Sequence, residues 1–64
     1  MNDDDNKVLL TVTEAAKRLS LSRTFTYELV MRGDLESLKL GKSRRVPVDA
    51  LDKFVQARRA ERGY

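Results

Sequence analysis

Four cations fall within seven residues of this chain, Lys39, Lys42, Arg44 and Arg45, with Ser43 among them. Side chains of one sign held this close repel each other, and a loop that needed only solvation gains nothing from the crowding. Phosphates relieve the repulsion: a lysine neutralises a backbone phosphate, and an arginine can enter a narrow minor groove. On that chemistry Arg44 or Arg45 is the groove candidate and Lys42 the phosphate candidate, with Lys39 and Ser43 beside them. A second group is Arg23, behind Ser22 and ahead of Thr24 and Tyr27, at what reads as a helix start. An arginine weakens a helix N-terminus electrostatically, so its position asks for an outside partner, and a guanidinium can bond O6 and N7 of guanine together. Ser22 and Thr24 can donate to phosphates at the same helix start, although Ser22 suits a capping role equally well. Two roles are open to Tyr27, a hydroxyl contact to a nucleic-acid backbone or partial burial against a hairpin.

Other chemistries lack their residues. The chain has no histidine and no cysteine, which removes the commonest general base, the commonest metal ligand, thiolate sites and disulfides. Its carboxylate groupings have plainer explanations. Asp49 and Asp52 suit a helix start, Asp34 and Glu36 flank a turn, and Asp3, Asp4 and Asp5 lie in a terminal segment. No glycine-rich phosphate loop or ligand cluster stands beside any of them, so neither catalysis nor a cofactor or metal is expected. The 64 residues carry a net charge of +3, but the first seven, with three aspartates and Lys7, stand at −2 and the rest at +5. A basic body with its cations gathered is the footprint of a polyanion binder. No apolar run approaches a membrane span, and MNDDDNK has the wrong charge for a signal peptide, so a cytoplasmic location is expected.

These residues need elements to hold them. Residues 1–7 read as a disordered acidic tail, 8–59 as one domain and 60–64 as a C-terminal tail. After the apolar lead-in VLLTV, Thr13 reads as the cap of a short helix that turns Ala15, Ala16 and Leu19 inward. Ser20-Leu21-Ser22 interrupts it. A second helix runs from Arg23 to about Arg32 and stops at Gly33, which tolerates the left-handed conformation. Its buried stripe is Thr26, Leu29 and Val30. Alternation then predicts two strands, with Leu38 and Leu40 in the first and Val46 and Val48 in the second. If all four share one face, Leu40 opposes Val46 and Leu38 opposes Val48. Lys42, Ser43 and Arg44 then form the tip, with Arg45 and Lys39 on the other face. Pro47 suits an edge of such a two-stranded ribbon. A last helix starts near Asp49 and buries Leu51, Phe54 and Val55. The predicted fold is mainly α with a two-stranded β-hairpin wing, a winged helix-turn-helix.

Residues 10–55 carry T-x-x-E-A-A-x-x-L, then S-R-T-x-x-Y-E-L, R-G-D-L, K-x-G-K-S-R-R-V-P and a closing helix. In that order and spacing the chain resembles the excisionase-type family of small MerR-like winged-helix proteins. The resemblance implies a phage or plasmid recombination directionality factor: a protein that binds arrayed sites on double-stranded DNA, bends it and biases a site-specific integrase towards excision in a bacterial host. Small transcriptional regulators share the family and are the alternative reading. One departure stands at Phe25 and Thr26, where the family often has a polar and then an aliphatic residue. Either Thr26 is buried with its hydroxyl bonded back along the helix, or the helix rotates to bury Phe25. The first, which is preferred, keeps Arg23, Thr24 and Tyr27 towards DNA. The last helix is too short for a coiled coil, so head-to-tail association of several copies on DNA is the expected assembly.

Overall fold

The computed structural model describes residues 8–62; the acidic segment 1–7 and residues 63–64 lie outside the described part. In chain order the elements are β1 (Leu9–Leu10), α1 (Val12–Leu19), α2 (Arg23–Arg32), β2 (Leu38–Leu40), β3 (Ser43–Pro47) and α3 (Val48–Arg62). They form a winged helix-turn-helix, three helices with a small antiparallel sheet.

α1 starts earlier than its sequence suggests. Thr11 is the cap: its Oγ1 accepts from the Glu14 amide at 3.0 Å, and Glu14 Oε1 accepts from the Thr11 amide at 2.9 Å. The spacing T-x-x-E thus satisfies two amides that a cap at Thr13 would leave without these partners. Thr13 instead lies exposed within the helix, and Val12 is buried beside Ala15 and Ala16. α1 and α2 end alike. Ser20 takes φ 59° and Gly33 takes φ 83°. The amides of Leu21 and Asp34 reach back to the carbonyls of Ala16 and Leu29 at 2.9 and 3.0 Å. Both are closed by the same left-handed turn, which glycine adopts freely and serine does not.

α2 follows the expected pattern. Ser22 caps it, and Thr26, Leu29 and Val30 are its buried residues. Thr26 is fully buried with Oγ1 donating to the Ser22 carbonyl at 2.8 Å, while Phe25 stays 42 % exposed. The helix is therefore not rotated.

The hairpin of β2 and β3 is joined by a third strand, since β1 pairs on the other side of β3 and the order is β1-β3-β2. β3 is thus the central strand and not the edge that Pro47 suggested. Pro47 is accommodated at its end, opposite Leu9. The neighbouring Val48 amide bonds Val8 on the β1 side at 2.9 Å. By alternation the Pro47 nitrogen faces the opposite edge, where β2 has already ended.

The hairpin register also differs from expectation. Leu38 opposes Arg45, Lys39 opposes Arg44 and Leu40 opposes Ser43. The tip is the two-residue turn Gly41-Lys42, with Gly41 at φ 64°, the type II′ pattern that matches the twist of the strands. Ser43 and Arg44 belong to β3 and not to the tip, and Lys39 shares a face with Arg44 and not with Arg45. Val48, assigned to the second strand by its alternation, opens α3. The tight turn sets this pairing, and β1 supplies the apolar cover for Val46 that Leu38 and Leu40 were expected to give. Those leucines stand on the outer face, 41 % and 51 % exposed.

The core joins Leu10, Val12, Ala15, Leu29, Val30, Leu35, Val46, Ala50 and Leu51, with Phe54 packed at its edge. α3 presents Ala50, Leu51 and Phe54, so Val55 turns out to solvent. Further along, Arg58 lies 5.1 Å over the Phe54 ring and 3.5 Å from Asp34, which also meets Arg32 at 3.1 Å. That cluster ties α3 to the end of α2.

Candidate nucleic-acid interface

The turn between α1 and α2 fixes how α2 is offered to the outside. With Thr26, Leu29 and Val30 inward, helical spacing places Thr24, Tyr27, Glu28 and Met31 on the opposite side. Together with Arg23 and with Thr13 of α1 they line a shallow, open groove. Arg23 is the first residue of α2 and is exposed, as are Thr24 and Tyr27. The groove beside Tyr27 is formed with α1 and not with the hairpin. Ser22 Oγ accepts from the Phe25 amide at 3.1 Å, so its oxygen acts as the cap. A hydroxyl that accepts can still donate its own proton outward.

The wing holds its cations in different ways. Lys42 stands at the tip, exposed, next to Gly41, and Lys39 and Ser43 are exposed in the strands that flank it. Arg44 is half-buried, and one guanidinium nitrogen donates to Ser37 Oγ at 2.9 Å. Arg45 is half-buried on the other face, donating to the Arg44 carbonyl at 3.1 Å. A guanidinium has five donors, so both arginines are held in place with donors left over. Among the described residues Arg32, Lys53 and Arg58 form ion pairs. None engages Arg23, Lys39, Lys42, Arg44 or Arg45. Among the described residues, the cations of the helix start and the wing therefore have no neutralising carboxylate, an arrangement that attracts polyanions.

The nine residues singled out in the sequence thus fall on two features: Ser22, Arg23, Thr24 and Tyr27 at the cap and along α2, and Lys39, Lys42, Ser43, Arg44 and Arg45 on the wing. Three further residues adjoin these features without having been singled out in the sequence. Ser37, which anchors Arg44, precedes β2 and has no sequence signal of its own. Glu28 and Met31 of α2 follow from the stripe Thr26-Leu29-Val30, whose complement they complete. Among the described residues no group of three carboxylate-type or other ligating side chains is placed to hold a metal ion. No helix among them is long and apolar enough to cross a membrane.

Residues 9–59 match a family described as a helix-turn-helix domain. Over 49 residues, 77 % of this chain and 50 % of the other, it is 55 % identical to a probable excisionase of Saccharopolyspora erythraea. Over 48 residues it is 44 % identical to an excisionase of Streptomyces ambofaciens, covering 75 % of this chain and 77 % of that one. The chain therefore spans about half the length of the first relative and most of the second. No solved structure matches it.

Proposed function

This chain belongs to the helix-turn-helix domain family, among its small excisionase-type DNA-binding members, and from that premise we propose that it is an architectural DNA-binding protein of site-specific recombination. It occupies adjacent sites on double-stranded DNA, bends the duplex and directs an integrase towards excision. The observation that carries the reading is an outward α2 face together with a wing whose cations lack carboxylate partners among the described residues. α2 lies in the major groove with Arg23 on guanine and with Ser22 and Thr24 on phosphates; Tyr27 contacts the backbone through its hydroxyl. The wing reaches the flanking minor groove. Arg44, held by Ser37, enters it with its orientation already set, and Lys42, Lys39, Ser43 and Arg45 contact phosphates or the groove walls.

A single module of this kind buries only roughly 600–1,000 Å² on DNA. Tight binding at one site is hard to reach on that footprint, so several copies touching head to tail supply the rest and impose curvature along the array. The proposal assigns the chain no catalytic step and no cofactor, and it places the protein with the DNA in the bacterial cytoplasm.

The test is a mobility titration on a duplex carrying tandem candidate sites from the chain's own genomic neighbourhood, followed by addition of the adjacent integrase. A cooperative ladder that collapses with salt and disappears in Arg23→Ala combined with Arg44→Ala is the expected result, together with stimulated excision. A single complex over a promoter with no effect on excision would assign the chain to transcriptional regulation. Absence of any complex at low salt would remove DNA binding itself.

A further inference from the structure

One member of the α2 face does not fit an interface built for phosphates. Glu28 is exposed and lines the groove with Arg23, Thr24, Tyr27 and Met31. It is the only acidic residue among them, and a carboxylate facing phosphate is repelled. Its natural partner is at hand but engaged elsewhere. Arg32 sits four residues on, the spacing at which a glutamate and an arginine normally pair on a helix, yet Arg32 bonds Asp34 at 3.1 Å instead. No ion pair or hydrogen bond among the described residues occupies Glu28.

An unpaired carboxylate can be favourable on this face in one place, deep in the major groove and away from the strands' phosphates. There the groove edge of cytosine offers the N4 amino group as a donor, and a glutamate accepts from it. We infer that Glu28 is a specificity-determining residue that reads a cytosine. This rests on the DNA-binding reading given above and adds to it a second base contact of opposite polarity to that of Arg23. The two side chains are five residues apart, about 7.5 Å along the helix axis. For a helix lying along the groove, that is about two base-pair steps. The recognised element is thus a guanine and a cytosine about two steps apart, with about one base pair between them, read by a cation and an anion in turn. The carboxylate also discriminates negatively, because it meets the acceptor edges of guanine or thymine at that position unfavourably.

Selection from a random duplex library by the full chain tests this, run in parallel with Glu28→Ala, Glu28→Gln and Arg23→Ala. Wild-type protein should enrich a motif with a cytosine about two steps from the guanine that Arg23→Ala loses. Glu28→Ala should keep the guanine and lose the cytosine preference by about tenfold or more. Glu28→Gln should move that position towards adenine, since an amide can bond N6 and N7 together. Because Glu28 is exposed, all three variants should keep the wild-type circular dichroism spectrum. A Glu28→Ala protein that binds every sequence more tightly and enriches the wild-type motif unchanged would overturn the inference, reducing Glu28 to phosphate repulsion. In that case DNA binding stands. A wild-type chain that enriches nothing and binds no duplex at low salt would instead overturn the DNA-binding premise, and the inference with it.

Discussion

Ser20 holds the turn between the two helices at φ 59°, in the region where a Cβ crowds the following carbonyl. That costs an L-residue roughly 1–2 kcal/mol. Gly33 does the same work at the end of α2 without the Cβ. Replacing Ser20 by glycine removes the crowding but adds freedom to the unfolded chain, worth about 0.5–1 kcal/mol against it. Ser20→Gly should therefore stabilise the protein slightly, by up to about 1 kcal/mol. Ser20→Val, which places a β-branched side chain at positive φ, should lose about 1–2 kcal/mol. Urea denaturation of the pair measures both signs, and a valine variant as stable as wild type would contradict the turn geometry. At this scale much was legible in the sequence. The cap at Ser22 and the stop at Gly33 follow from residue type, and the burial of Thr26 follows from its spacing with Leu29 and Val30, although residue type by itself left Phe25 as the alternative. The cap of α1 was misplaced because Thr11 and Thr13 are both competent, and only the glutamate three residues after Thr11 separates them. Nothing local marks Ser20 as left-handed, since serine is an uncommon occupant of that position.

Elements were legible in kind and order, less so in pairing. Helix, helix, hairpin and helix can be read from periodicity, but the register depended on a premise that all apolar residues of the hairpin seek one face. The two-residue turn at Gly41-Lys42 sets a different pairing, and the two residues of β1, too short to announce themselves as a strand, cover Val46. The consequence is measurable. Leu38 and Leu40 lie outward and about half exposed, so Leu38→Ser and Leu40→Ser should each cost about 1 kcal/mol or less. Val46 is fully buried between β1 and the helices, and Val46→Ala should cost about 2 kcal/mol. Thermal melts of the three variants distinguish the two pairings. With Leu38 and Leu40 on the core face, the leucine variants would be the most damaging of the set. The wing is therefore stiffened from its base by β1 and α3, while its outer face and tip remain exposed.

At the scale of the whole molecule, the proposed mode of binding divides the labour of recognition between the helix start and the wing. Base contacts fix which sequence is bound, and phosphate contacts fix how strongly any sequence is held. The two contributions answer salt differently, because each neutralised phosphate releases counterions and adds about 0.9 to the steepness of log K against log salt. Lys42 stands exposed at the tip with no carboxylate partner among the described residues. Lys42→Ala should thus weaken binding to all sequences alike and reduce the slope by about one unit. Arg23→Ala should lower affinity for the preferred site by about 1–3 kcal/mol while leaving non-preferred DNA much less affected. Fluorescence anisotropy on preferred and scrambled duplexes at several salt concentrations separates the cases. If Lys42→Ala changed sequence preference and left the slope alone, the tip would be reading bases, and the assignment of specificity to α2 would have to move to the wing. If neither variant changed the slope, the interface would lie elsewhere on the surface. The proposed division requires both effects, each in its own variant, because a carboxylate-free wing and a mixed-charge helix face suit phosphate neutralisation at one place and base discrimination at the other.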